Sequence, residues 1–298
     1  MPKSRFVSLS FVLIVLAVLA LFQPVPYVLE KPGPLYDALG KVDGKKLVFI
    51  SGTKTYPTSG EINMTTVGVY GGPQDGIDLL KAIRGWLDPE VNVQPREAVY
   101  PENLTNDEQD AMSVADFSES QSNATAAALN YLDLPVQSQI FISSVQSDYP
   151  ADGKLKPNDI VMAIDGTEVL SAEQAVDLIR RKPIGSVIII TISRAGKIKQ
   201  VAIKTTSHPK YHFVPYIGVG VGTQYSAEFN IDFQVSDVGG PSGGTMFALS
   251  IVDQLTPGYL NDGKVIAGTG TISPEGRIGA IGGIDQKMYA SLHHGAQL

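Results

Sequence analysis

Gly239-Gly240-Pro241-Ser242-Gly243-Gly244 is the stretch on which the reading of the fold turns. Two runs of β-formers precede it, Phe213 to Val221 and Ala227 to Val235. An apolar helix follows it and ends at Thr256-Pro257-Gly258. A serine among glycines at a helix start has free backbone N–H groups around it and the positive end of the helix dipole behind it. Those donors suit an oxyanion forming at Ser242, and residues without side chains let a substrate backbone come close. Gly239, Gly240 and Gly243 are the backbone positions expected to do this. Taken alone, the same pattern also reads as a turn or a helix cap.

A catalytic serine needs a base. The four histidines lie at 208, 212, 293 and 294, in a linker or near the end of the chain, where exposed or structural roles fit them. Lysine is the other choice. Lys287 stands on a predicted helix after Gly282-Gly283, flanking an apolar face of Ile284, Met288 and Leu292. A desolvated lysine sheds its proton more readily and can serve as a base, whereas one that snorkels to water cannot. Spacing alone favours the second reading.

The order of motifs changes that balance. Gly240-Pro-Ser-Gly-Gly244, Gly268-Thr-Gly270, Gly276-Arg-Ile-Gly279, Ile281-Gly-Gly283 and Lys287 follow one another within about 50 residues. Together they resemble the proteolytic domain of the Lon proteases. The resemblance implies Ser242 as nucleophile, Lys287 as general base and Thr269 as the residue that orients the lysine. Thr65-Thr-Val67 and the helix from Glu119 to Leu129 are similar to the opening strands and first helix of that domain. Three departures stand out. Gly243 replaces the usual alanine and is expected to be tolerated. Gly239 occupies a position where ATP-dependent members carry an aspartate; Asp237 lies further upstream, and no role is transferred to it. The chain ends at Leu298, where the family domain continues through a further strand and helix, so a truncation is expected. No Gly-x-x-x-x-Gly-Lys-Ser/Thr motif is present, which removes an ATP-driven unfoldase.

Residues 134–206 read as a compact β-rich unit. Gln139 to Val145 and Ile160 to Ile164 read as strands, the latter closed by the Asp165-Gly166 hairpin signal. Ser171-Ala-Glu-Gln174 caps a helix to Arg181, and Val187 to Ser193 pairs with Lys199 to Lys204 across Ala195-Gly196. Leu155-Lys-Pro-Asn-Asp-Ile-Val-Met-Ala-Ile-Asp-Gly166 resembles a PDZ domain. The resemblance implies a peptide groove, with Ile140, Phe141 and Ile142 on its strand and Ala175 and Leu178 on its helix. A purely structural insertion is the alternative.

At the N-terminus, Phe6 to Phe22 is an uncharged run of 17 residues behind Lys3 and Arg5. It reads as a membrane anchor with a cytoplasmic tail at 1–5 and the remainder exported; a cleaved signal peptide is the alternative. Residues 23–44, with Pro24, Pro26, Pro32 and Pro34, read as an extended linker. Residues 45–133 form the N-terminal part of the Lon-type domain and 207–298 its catalytic part. A helix is expected from Leu104 to Leu132.

Composition closes other routes. The net charge of −7 and the lack of a basic run argue against nucleic acid. Without cysteine there is no disulfide, thiolate chemistry or thiolate-bound metal, and no HExxH points to zinc. No cofactor and no metal are expected. The expected fold is α+β (mixed α/β): an anchor, then a Lon-type domain interrupted or preceded by a PDZ-like one. The arrangement resembles the PDZ-containing Lon-like proteins of bacteria. It implies an ATP-independent serine endopeptidase acting on unfolded, flexible or membrane-proximal polypeptides, with a hexamer by analogy. A tethered, inactive peptide-binding scaffold is the alternative.

Overall fold

The computed structural model describes residues 3–42, 44–101, 105–235 and 238–297, with side chains from residue 11 onward. Leu104, Asp237, Leu298 and the first two residues of the expected tail lie outside the described residues. Along the chain, helix α1 (Lys3–Leu21) is followed by β1 (Tyr27–Asp37), β2 (Val48–Ser51), β3 (Glu61–Tyr70), α2 (Leu79–Leu87), β4 (Asn92–Pro95) and the long α3 (Asn106–Tyr131). A middle unit contains β5 (Gln137–Val145), β6 (Ile160–Ile164), α4 (Ala172–Arg180), β7 (Val187–Arg194) and β8 (Lys197–Lys204). The chain continues through β9 (Val219–Ser226), β10 (Asn230–Phe233), α5 (Gly244–Leu255), β11 (Val265–Gly268) and α6 (Ile284–His293). Among the described residues no helix is long and apolar enough to cross a membrane.

One sheet has the order β11-β3-β1-β4, with β11 parallel to β3 and the other pairs antiparallel. It is built from both ends of the chain, so the middle unit interrupts it in sequence. Residues expected to be a linker supply β1, an inner strand of this sheet. Its prolines are accommodated at an irregularity: the pairing with β3 slips between Pro32 and Leu35, where two residues without N–H groups cost least. The carbonyl of Pro34 accepts a hydrogen bond from Thr66 Oγ1 at 2.7 Å. Val28 and Leu29 are buried, and that burial outweighs the poor β-propensity of the prolines.

Helices α3 and α5 close the core over β2 and β3. A Thr105/Glu108 capping box starts α3. Only its later half, from Phe117 to Leu129, is buried, and its run of alanines lets α5 approach. Phe117 meets Phe247 edge to face at 5.7 Å between ring centres.

The second sheet has the order β8-β7-β6-β5-β9. Alternate isoleucines at 188, 190 and 192 point into one core with Ile140, Ile142, Val161, Ile164 and Ile203, and α4 covers them with Ala175 and Ile179. Arg194 clamps the buried Asp159 at 2.6 Å. Burial opposes the charge on Asp159, but the Arg194 guanidinium and the Lys156 N–H outweigh it and hold the carboxyl below its usual range. The expected unit at 134–206 lacks the edge of this sheet, because β9 pairs with β5 along its whole length. A fragment of residues 134–206 should therefore melt at far lower denaturant than one of residues 134–226, by roughly 2 kcal/mol or more in unfolding free energy. Urea titrations followed by circular dichroism test this; equal midpoints would contradict the shared strand.

Candidate active site and peptide groove

The chain turns from Val238 into α5 through the glycine-rich loop, which leaves Ser242 half-buried at the helix start. The loop is pinned to α3. Gly240 N–H donates to Ser113 O at 2.9 Å, and Ser120 Oγ donates to Pro241 O at 2.9 Å. It is also pinned to the segment after β11, where Gly270 N–H and Thr269 Oγ1 both donate to Ser242 O, at 2.8 and 3.1 Å. Lys287, on the first turn of α6, reaches the same point from the other side. Its Nζ lies 2.9 Å from Ser242 Oγ and 2.9 Å from Thr269 Oγ1.

These bonds assign directions. Thr269 spends its proton on the Ser242 carbonyl, so its oxygen accepts a hydrogen from the lysine. A neutral amine then keeps one more hydrogen and its lone pair, and rotation about Cε–Nζ can turn either towards the Ser242 oxygen. Lys287 is 4 % exposed and pairs with no carboxylate among the described residues. Burial lowers its pKa to about 8 from the usual 10.5. The face of α6 differs from the sequence expectation. Ile284, Met288 and Leu292 are exposed, at 52 %, 47 % and 67 %, whereas Gln286, Lys287 and Ala290 are buried. Gly283, at φ 64°, turns the chain into the helix through a left-handed conformation, with Val67 packed where a Cβ would stand.

Among the expected oxyanion positions, Gly240 is not available, since Ser113 O occupies its N–H. The amides of Ser242 and Gly243 donate to no acceptor among the described residues and stand at the positive end of α5. Gly243 is tightly enclosed. A Cβ there would overlap the buried Met64 sulfur, so an alanine at this position needs Met64 to move. Gly239 lies against Ser113, and a Cβ would sit 2.8 Å from that side chain. A cleft of about 540 Å³ opens over the serine, lined by Tyr36, Met64, Phe117, Val238 and Lys287 among others. Along it runs the edge of β3 from Thr65 to Val69, which has left β11 behind and pairs with no strand on that side among the described residues.

The groove of the second sheet lies elsewhere than expected. Strand β5 has β6 on one edge and β9 on the other, so Ile140, Phe141 and Ile142 have no edge to offer, and Ile140 and Ile142 are core residues. The open edge belongs to β9. Between it and α4 lies a pocket of about 140 Å³ lined by Val176, Ile179, Arg180, Ile217, Val219 and Val221. The helix is the expected one, but Ala175 is core and Leu178 packs against that core; the groove is lined by Val176, Arg180 and one side of the core residue Ile179. The signal was present in Ile217-Gly-Val-Gly-Val-Gly222, apolar on one face and bare on the other. A Cβ at Gly222 would press on the Phe141 ring and one at Gly220 on Ser143 and Ser144, so this strand must lie close against β5.

The comparisons with known proteins bear on this second site. Residues 111–205 match the PDZ domain family, and no Lon-type protease domain is matched. The match ends before β9. Among solved structures the chain is similar to the PDZ domain of the SdrC-like protein of Listeria monocytogenes, at 30 % identity, covering 28 % of this chain and 85 % of that one with a TM-score of 0.26. It is similar at 30 % identity to the corresponding domain from Listeria innocua, covering 28 % and 92 %, TM-score 0.26. A protein of Geobacillus thermodenitrificans solved in solution aligns at 28 % identity, covering 28 % and 94 %, TM-score 0.26. No curated protein matches. The chain thus carries a PDZ domain.

The lowered pKa of Lys287 has a consequence for stability. Below pH 8 the folded and unfolded chains both hold the proton, and the buried charge costs its full penalty. From pH 8 to 10.5 the unfolded chain binds the proton more tightly, so stability rises with pH. Lys287→Met should therefore unfold at higher denaturant than the wild type at pH 7, by roughly 1–3 kcal/mol, with the gap closing as the pH rises. Urea melts across that range measure it; a Lys287→Met protein less stable at pH 7 would contradict the burial argument.

Proposed function

We propose that this chain, with its PDZ domain as the premise, is a membrane-anchored, ATP-independent serine endopeptidase in which Ser242 and Lys287 form the catalytic dyad. The observation that carries the reading is the 2.9 Å separation of Lys287 Nζ and Ser242 Oγ in a shielded cleft. With a pKa of about 8, roughly a tenth of Lys287 is neutral at pH 7, enough for a general base. Neutral Lys287 takes the Ser242 proton as the hydroxyl attacks the peptide carbonyl. The oxyanion forms against the amides of Ser242 and Gly243. The ammonium of Lys287 then gives its proton to the departing amine, leaving an acyl-serine. Water, deprotonated by the same amine, releases the acid and restores the hydroxyl. Thr269 holds the amine in place and takes no proton itself. The free edge of β3 from Thr65 to Val69 suits an extended polypeptide, consistent with flexible or unfolded substrates.

PDZ domains bind peptide ligands, and the groove between β9 and α4 is where such a ligand adds as a strand in this reading. The catalytic part lies outside the cytoplasm, with α1 in the membrane.

Casein digestion tests the chemistry. Ser242→Ala should lose more than about a thousandfold in rate, and Lys287→Arg should not restore the activity lost in Lys287→Ala, since a guanidinium keeps its proton. Wild-type kcat/KM should climb about tenfold per pH unit below pH 8 and level off above it. Undiminished cleavage by Ser242→Ala would end the proposal. The groove has its own test. Val221→Glu should weaken binding of peptides with apolar C-terminal residues by about tenfold in a fluorescence titration, while Ile198→Glu, on the far strand β8, leaves it unchanged.

A further inference from the structure

Helix α2 stands where the chain leaves α1. The carbonyl of Gln23, two residues beyond α1, accepts the N–H of Leu79, the first residue of α2, at 3.1 Å. Pro24 and Val25 pair with Asp78 and Ile77. α2 is nine residues long, about 13 Å at the usual rise per residue. Whatever medium holds α1 therefore lies close along α2.

The described side chains of α1 are apolar and turn outward on all sides: Phe11, Val12, Leu13, Ile14, Leu16, Val18 and Leu19 are all exposed. Only an apolar medium receives such a surface. α2 buries Ala82 and Gly85 against Leu29, Val91 and Val93 and turns a different set outward. Trp86 is 54 % exposed and Leu87 80 % exposed. Trp86 leans on Tyr27 edge to face at 5.3 Å, which leaves a stack of two aromatic rings at the end of the helix. Beside them a cavity of about 510 Å³ is lined by Lys31, Tyr70, Lys81, Arg84 and Asp88, three cations to one carboxylate. Lys81 is shared with Asp78 at 2.8 Å, and Arg84 forms no ion pair among the described residues. An indole and a leucine next to lysine and arginine fit the boundary between acyl chains and lipid phosphates, where amphipathic rings gather and cations meet anionic oxygens.

We propose that α2 is a membrane-docking element: Trp86 and Leu87 enter the headgroup layer of a phospholipid bilayer, and Lys31, Lys81 and Arg84 engage lipid phosphates. The inference rests on the reading of α1 as the anchor. Docking sets the height and tilt of the catalytic cleft above the bilayer, because α2 packs on β1 and β4 of the sheet that carries β3.

Trp86 is the only tryptophan in the chain, so the native protein reports on its own contact. The full chain is mixed with vesicles containing phosphatidylglycerol, and lipids brominated at shallow acyl positions are included in one set. Flotation reads the anchor, and Trp86 emission reads the docking. Supporting results are flotation with about half of the Trp86 emission quenched by the brominated lipid, and loss of that quenching in Leu87→Glu and in Lys81→Glu/Arg84→Glu proteins that still float. Flotation with unquenched Trp86 would overturn docking and leave the anchor standing. A chain that does not float at all would overturn both. Neither outcome touches the dyad, which casein digestion reads separately.

Discussion

A lysine amine held out of water beside two hydroxyls is the interaction that organises this molecule's site. Lys287 cannot be buried at 4 % exposure without partners, and its partners are oxygens, not carboxylates. A carboxylate in their place would hold the charge on the amine; two hydroxyls and an apolar surround let it go. The cost of burying the lysine falls on folding stability. Three segments far apart in sequence share the task of meeting it: the glycine loop before α5, the turn after β11 and the first turn of α6.

Helix α3 ties this arrangement to the PDZ domain. Ser113 and Ser120 hold the glycine-rich loop, and Ser122 Oγ accepts the N–H of Tyr225 on β9, the strand that borders the groove beside α4. β9 then runs within a few residues into β10, which pairs with β2. The PDZ sheet is therefore linked to the core under α5 by the short connection from β9 to β10 and by contacts with the long helix α3. Residue type follows this geometry. Small serines sit where α3 meets loops, and alanines sit where it meets α5.

Much of this is legible in the sequence for identifiable reasons. Ser242, Thr269 and Lys287 are readable because each stands at a fixed place in an ordered series of glycine-bearing motifs, where a turn or a cap would not require that order. The hairpin of β7 and β8 is readable from an uninterrupted run of β-branched residues. What escapes depends on pairing at long range. β1 hides behind its prolines because sequence shows the missing N–H groups of Pro32 and Pro34 but not the slip in register that absorbs them. β9 is visible as a strand, yet no local pattern tells which sheet a strand joins; its glycines, pressed against Phe141 and two serines, become interpretable only beside β5. The burial of α6 runs against its pattern because a polar and small face, Gln286, Lys287 and Ala290, is inward where the apolar one is outward. A buried lysine held by two hydroxyls runs against the periodicity that normally marks the buried side.

The central claim concerns one proton on one nitrogen. A carbon-13 NMR titration of the Lys287 Cε resonance, assigned by comparison with a Lys287→Met protein and followed from pH 6 to 11, measures it directly. The account predicts a midpoint near 8, well apart from the remaining lysines. A midpoint at the ordinary lysine value, in the folded chain, would mean that this amine is charged wherever the protein works and could not accept the proton of Ser242.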